Sequence, residues 1–422
     1  MEGVHPGDTI KTDWDLEDLQ IGLINSRKFS IQACIMLKLQ VEVLYDVETI
    51  LDVLGEESIE THKSSLDIAE IAIYKKDIFR LREETELPKK LPNMDEVLWQ
   101  QVQLLDLDCK PIEEKIAIQG ELQIFLLYLS AGEVPSYETF ETTLPFNGIL
   151  ECQGCSEKLV PCITVTTSHK EIEIRPDADG EERVISVEMV LELDMKLYRE
   201  EKLSYLSDVY GVTQTVTART EPVIFEKLVY TGTEKCKVTD RIRIENGEPK
   251  IQEILHADGN IHITENRQTE NGLEWAGNLD VHIFYQSNTK EGYAGMHGVI
   301  PFQMAVEIPG DTIEVTCQMN CILQQLSVSM LDQEEVEVKA VLGFQEIAFG
   351  KQTRNRIADI AITELDYKTM SELPGIVVYM VQDGDSLWDI GKRYYVPVTA
   401  IMEMNDMGNE QIKKGDKILI VK

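Results

Sequence analysis

The sequence lacks the short signatures that most enzymes carry. It contains no G-x-S-x-G, no G-x-x-x-x-G-K-[ST] and no G-x-G-x-x-G, which argues against hydrolase, P-loop and Rossmann chemistry. Its seven histidines, His5, His62, His169, His256, His262, His282 and His297, include no H-E-x-x-H pair. Basic residues are few: 40 Lys and Arg stand against 75 Asp and Glu, a net charge of −35. Such a surface repels polyanions, so no nucleic-acid partner is expected. Nowhere do the roughly eighteen apolar residues needed for a membrane helix run together, so no direct membrane insertion is expected. The opening stretch MEGVHPGDTIKTDWDLEDL has neither a basic region nor an apolar core, and export is not expected. Eight cysteines scattered through 422 residues fit reduced thiols better than a disulfide framework.

What is present is alternation. Residues are 43% hydrophobic, enough to build cores rather than an acidic disordered tail. Ile116, Ile118, Leu122, Ile124, Leu126 and Tyr128 fall on one face of a strand. The pattern recurs at Leu279, Val281, Ile283 and Tyr285, with Gly120 mapping onto Gly277, a shift of 157 (277 − 120). Leu144-Pro145-Phe146 maps onto Ile300-Pro301-Phe302, a shift of 156 (300 − 144). A second strand type occurs three times: Ile31 to Val43, Ile185 to Leu197, and Val336 to Phe344. Each copy is followed by a related element: ILDVLG ending at Gly55, LSDVYG ending at Gly211, and IADIAI ending at Ile362. Pro6-Gly7-Asp8-Thr9-Ile10 also matches Pro309-Gly310-Asp311-Thr312-Ile313. The organisation reads as a partial β repeat at 1–72, complete repeats at 73–222 and 223–362, a linker at 363–375 and a small module at 376–422. The class is mainly β, tandem antiparallel sandwich-like domains, with Thr61 to Leu81 left ambiguous.

The last stretch changes character. Val377 to Val381 reads as a strand, and Asp383-Gly384-Asp385 as a turn. Ser386 with Asp389 then forms an S-x-x-D box opening a helix. Leu387, Ile390 and Tyr394 share a helical face beside Trp388. Pro397 can open a second helix, and Ile418 to Val421 closes the module as a strand.

This βααβ order, with D-G-D-S-L-W at its first turn and Ile412 to Ile420 at its end, resembles the LysM module. LysM modules bind N-acetylglucosamine glycans in a groove between two turns. The resemblance puts Asp383, Gly384, Asp385, Ser386 and Leu387 on one side of it, and Met404, Asn405, Asp406 and Met407 on the other. Trp388, Ile390, Ile401 and Leu419 are expected in the module's core. Tyr395 departs from the family's usual Gly or Asn, and Pro397 from its usual Ser or Thr.

The β body resembles the SPOCS domain of sporulation proteins through FEKLVYTG, Pro249 to Leu255, WAGNLDVHIFY, the IPF turn and the KAVLGF strand. Together with a terminal LysM module, it is similar to the SipL-type spore coat morphogenetic proteins. The resemblance implies a non-enzymatic scaffold for spore coat assembly and encasement of the forespore. It would work in the mother-cell cytoplasm at the forespore surface, docking through LysM to a polymerising morphogenetic ATPase and acting with other coat proteins. The alternative is a protein binding peptidoglycan or its lipid-linked precursor.

One cluster has metal-ligand spacing: Cys152, Cys155 and Cys162, with His169. The second repeat has no matching C-x2-C, so neither a metal nor another cofactor is expected.

Overall fold

Alternating apolar residues bury one face of a strand only when a second strand holds them in register. The computed structural model meets that condition throughout residues 1–422, except 1–3, 6–8, 45, 54–57, 246, 271, 290–291, 309–313 and 366–373, which are not described. The matched turns at Pro6 and Pro309 and most of the expected linker lie outside the described residues. The fold is mainly β, with antiparallel sheets and a small βααβ region at the end.

Two strands come first, β1 (Thr9–Asn25) and β2 (Lys28–Glu42). The next six are β3 (Ile59–Glu86), β4 (Met94–Ile112), β5 (Lys115–Ser130), β6 (Tyr137–Glu151), β7 (Val160–Pro176) and β8 (Glu182–Gly211). A matching six follow: β9 (Gln214–Arg243), β10 (Ile251–Thr269), β11 (Gly272–Ser287), β12 (Tyr293–Glu307), β13 (Val315–Met330) and β14 (Glu335–Glu364). The sheets repeat as β4-β5-β6 with β3-β8-β7, then β10-β11-β12 with β13-β14-β9. The ambiguous stretch 61–81 is therefore strand, inside β3. Apart from the buried Leu66 and Leu81, its apolar residues are at most partly covered, so its own pattern is weak and pairing with β8 decides its conformation.

The chain divides into two compact units, 64–204 with 224–355, and 1–63 with 205–223 and 356–422. Strands β3, β8, β9 and β14 contribute residues to both. The positions 72/73 and 222/223 fall within β3 and β9.

In the first of these units, Ile116, Leu122, Ile124 and Tyr128 of β5 meet Ile185, Val187, Leu191 and Leu197 of β8 in one core. Leu279, Val281 and Tyr285 of β11 meet Val336, Leu342 and Phe344 of β14 in the other. The 157-residue shift holds down to single hydrogen bonds. The Tyr128 hydroxyl donates to Pro92 O (3.1 Å) and the Tyr285 hydroxyl to Pro249 O (2.9 Å). Gly120 and Gly277 pair with Phe146 and Phe302, and a Cβ on either glycine would strike that ring, at 2.9 and 2.6 Å.

The other unit holds the β1–β2 hairpin, the terminal module and a core built from the three recurring elements. Ile50 and Val53, Leu206 and Val209, and Ile357 and Ile360 pack together, one pair from each copy. In every copy the aspartate between them, Asp52, Asp208 or Asp359, accepts the backbone N–H of the next residue at 2.9 Å.

Glu346 on β14 is 4% exposed, and among the described residues neither carboxylate oxygen finds a hydrogen-bond partner. Burial, with Glu234 adding repulsion, pushes its pKa up to about 7. The neutral form is the one the fold accommodates. Its contribution is complete below the ordinary value of 4.5, declines as pH rises, and is lost through pH 7. Glu346→Gln is expected to flatten that decline, stabilising the protein well above pH 7 by up to roughly 3 kcal/mol and changing little in acid. A series of thermal melts across this range checks it.

Candidate functional site

The terminal module pairs β15 (Ile376–Met380) with β16 (Lys417–Val421) and sets α1 (Leu387–Tyr394) and α2 (Val398–Met404) between them. Ser386 is the N-cap of α1: its hydroxyl accepts from Asp389 N–H (3.1 Å) and donates to the Asp389 carboxylate (2.6 Å). Asp385 holds the preceding turn instead, accepting from Gln382 N–H and from the Tyr379 hydroxyl, both at 2.8 Å. Those two bonds keep its carboxyl below the usual range. Asn405 is a brace. Its amide donates to Ile401 O and Leu419 O (2.8 Å each) and accepts from Leu419 N–H (2.7 Å), tying α2 to β16.

Of the residues expected along the groove, then, Asp385, Ser386 and Asn405 hold the module together. Leu387 is buried in its apolar cluster, against which Met407 packs. Asp383, Gly384, Met404 and Asp406 face solvent. Among the expected core residues, Ile390 and Ile401 are buried at 0% and 1%. Leu419 is not in that core. Ile418 and Ile420 fill it, and alternation turns Leu419 to the other face of β16, half-buried.

Trp388 is buried in the module's apolar cluster and also meets residues outside the module. Its ring stacks on His62 (4.9 Å) and meets Tyr210 edge-on (4.7 Å), and its indole N–H donates to Asp208 (2.8 Å). The Lys392 ammonium reaches both oxygens of the same carboxylate, at 2.6 and 2.7 Å. Burial opposes ionisation of Asp208, but Lys392 and Trp388 outweigh it and hold the carboxyl below its ordinary value. The Tyr210 hydroxyl donates to Val396 O at 2.8 Å. Glu60 lies beside the Val398 backbone at the start of α2, where Pro397 supplies no side-chain cap. One face of α1 is thereby seated on the end of β8.

Sequence reasoning did not find Asp208, Tyr210, His62 or Glu60. One signal was available: Tyr210 stands in LSDVYG where the sister elements have Leu54 and Ala361. Gly391 is its counterpart on α1. A Cβ there would lie 2.6 Å from the Tyr210 hydroxyl and 2.8 Å from Val396 O.

The Cys152-x-x-Cys155 turn closes on itself through Cys155 N–H to Cys152 O (3.0 Å), and both side chains are core residues. Burial, with Cys152 alongside, pushes the Cys155 thiol up to about 11, so it is protonated and weakly nucleophilic. Cys162 packs instead with Tyr198 and Phe349, and His169 is exposed beside Glu171. Among the described residues no group of three or more His, Cys, Asp or Glu is arranged to hold a metal.

Gly391→Ala separates helix propensity from docking. Alanine favours an exposed helix by about 1 kcal/mol, yet here it is expected to lower the melting temperature of the full chain, with part of the loss recovered in a Tyr210→Phe background. Asp208→Asn is expected to weaken the same contact, by about 1–3 kcal/mol for charged hydrogen bonds lost, as acid below pH 3.8 does by protonating the carboxylate. Limited proteolysis reporting release of the module, beside thermal melts, checks both. Tyr395 closes α1 in the left-handed region, at φ 59°. Tyr395→Asn is expected to raise the melting temperature by up to about 1 kcal/mol equivalent, since asparagine tolerates that conformation.

No helix among the described residues is long and apolar enough to cross a membrane. The family described as SipL, SPOCS domain matches residues 93–175 and 250–331, and the LysM domain family matches 379–421. The two SPOCS segments open at β4 and β10 and so follow the structural repeat. A curated relative, the uncharacterized protein YkzQ of Bacillus subtilis (strain 168), is 40% identical over 43 residues, 10% of this chain and 57% of that protein. The chain thus spans just over half the length of that relative. No solved structure matches. Both matched domain types are binding rather than catalytic, and they point to a sporulation-related protein with a peptidoglycan-binding type of module. The chain carries two SPOCS segments and a carboxy-terminal LysM domain, the domain content of a SipL-type protein.

Proposed function

We propose that this protein is a non-enzymatic adaptor for spore coat assembly. Its LysM domain docks to a polymerising morphogenetic ATPase at the forespore surface, in the mother-cell cytoplasm, and its β body engages other coat proteins. The observation that carries the protein-docking reading is how the groove's polar groups are used. Asp385, Ser386 and Asn405 are committed to hydrogen bonds inside the module, leaving Met404 and the carboxylates of Asp383 and Asp406 at the surface. A sugar is recognised through several precisely placed donors and acceptors. An adaptable methionine flanked by like charges fits a basic-rimmed protein surface better. The acidity of the chain supports recruitment by a partner, because a net charge of −35 offers no electrostatic route to an anionic membrane.

The domain type keeps glycan binding as the second reading. Asp383→Lys with Met404→Glu changes only exposed groove-edge side chains, and such surface changes typically move stability by no more than about 0.5 kcal/mol. The double variant is expected to melt like the parent and to lose capture of the ATPase in a pull-down. Unchanged capture would move the contact off the groove edge. Parent protein that binds muropeptide or lipid-linked precursor, and no ATPase, would favour the glycan reading. A fluorescent fusion lacking residues 375–422 is expected to leave the forespore surface and spread through the mother cell.

A further inference from the structure

The β1–β2 hairpin has one face made almost entirely of apolar side chains, and that face is largely exposed. Its register pairs Leu16 with Ile35, Trp14 with Leu37 and Ile21 with Ile31. Directly paired residues share a face, and these six are between 46% and 67% exposed. Lys11, Gln20, Gln32, Lys38 and Gln40 alternate onto the opposite face. A two-stranded sheet of this length is not stable with such a face in water.

The repeat shows what this face does elsewhere in the chain. Hairpins β7–β8 and β13–β14 are its counterparts, and Ile185, Val187, Leu191, Val336 and Leu342 on them are fully buried, at 0% exposed. Each of those faces is covered by the three-stranded sheet of its own repeat, β4-β5-β6 or β10-β11-β12. Among the described residues no three-stranded sheet covers the N-terminal copy, and the sheets β4-β5-β6 and β10-β11-β12 are already occupied. Its trailing element is nevertheless fully integrated, with Ile50 and Val53 in the three-element core and Ile50 O accepting from Leu206 N–H at 2.8 Å. The hairpin is thus an ordinary half-repeat held in place at one end and uncovered along its length.

We propose that a second copy of this chain covers it, the two β1–β2 faces packing on each other across a two-fold axis as a four-stranded sandwich. Charge selects this occupant. Residues 9–42 contain 4 Lys and Arg against 5 Asp and Glu, a net of −1. The rest of the chain carries −34 (−35 less −1). Two strongly acidic copies can therefore meet at the hairpin with little repulsion from its own residues. No charged residue lies among the register pairs of the apolar face, so a like-on-like contact buries none, as an isologous interface requires. A stable specific interface buries about 800 Å² per partner, and this face runs the length of two strands of 17 and 15 residues. Pairing two copies also presents two LysM domains together, so weak individual docking becomes avid on a polymer.

Sedimentation velocity of the full chain over a concentration series tests the proposal. The expected result is a reversible dimer. In Ile21→Glu with Leu37→Glu the sedimentation coefficient should fall to that of the monomer, while Gln20→Glu with Gln32→Glu, on the other face, should leave the dimer intact. Hydrogen exchange on the unaltered chain removes any dependence on how the variants fold: protection of 9–42 should rise with concentration. A chain monomeric at all concentrations overturns the proposal, as does a dimer that survives the Ile21, Leu37 changes. Hairpin protection gained only when a different protein is added assigns the face to a heterologous partner and rejects the second copy.

Discussion

Register is the constraint on which this protein rests. Leu122 lies opposite Leu144 across β5 and β6, and Leu279 opposite Ile300 across β11 and β12. A slip of one residue in either ladder would turn an entire apolar row to water. Glycine and phenylalanine help to fix the alignment. Gly120 is covered by the Phe146 ring and Gly277 by that of Phe302, and each glycine can face only a ring, since a side chain of its own would collide with it. The tyrosine hydroxyls of β5 and β11 then tie each strand to the segment entering its neighbour, at Pro92 and Pro249. Because these devices recur at a constant spacing, the two repeats reach the same topology independently.

The three recurring elements act differently. Each contributes two aliphatic side chains to one shared core, while its aspartate fastens its own backbone. The copies diverge in what they do with the remaining carboxylate oxygens. Asp52 pairs with Lys63, whereas Asp208 takes both the Trp388 indole and the Lys392 ammonium. Tyr210 and Gly391 complete that second contact, the tyrosine lying where no Cβ is present to exclude it. The consequence for function is directional. With one face of α1 occupied, the groove-edge positions Asp383, Gly384, Met404 and Asp406 remain solvent-facing.

Strand alternation, the 157-residue repeat and the βααβ order of the last segment were legible in the sequence, because each depends on local spacing of apolar residues and turn formers. So was the Ser386 cap, whose partner is three residues away. The N-terminal copy of the second strand type was also evident, since its alternation recurs in both later repeats. What the sequence did not determine was the use of each residue. Asn405 and Asp385, read as groove residues, also brace the module; Trp388, in the module core as read, also contacts β8; Leu419 lies on the far face of β16. In every one of these cases the deciding partner is set by three-dimensional packing. Asp208 is 180 residues from Trp388 and Tyr210 is 186 from Val396. Local periodicity fixes which face of a strand or helix is apolar, but only the tertiary fold decides which distant surface comes to cover it.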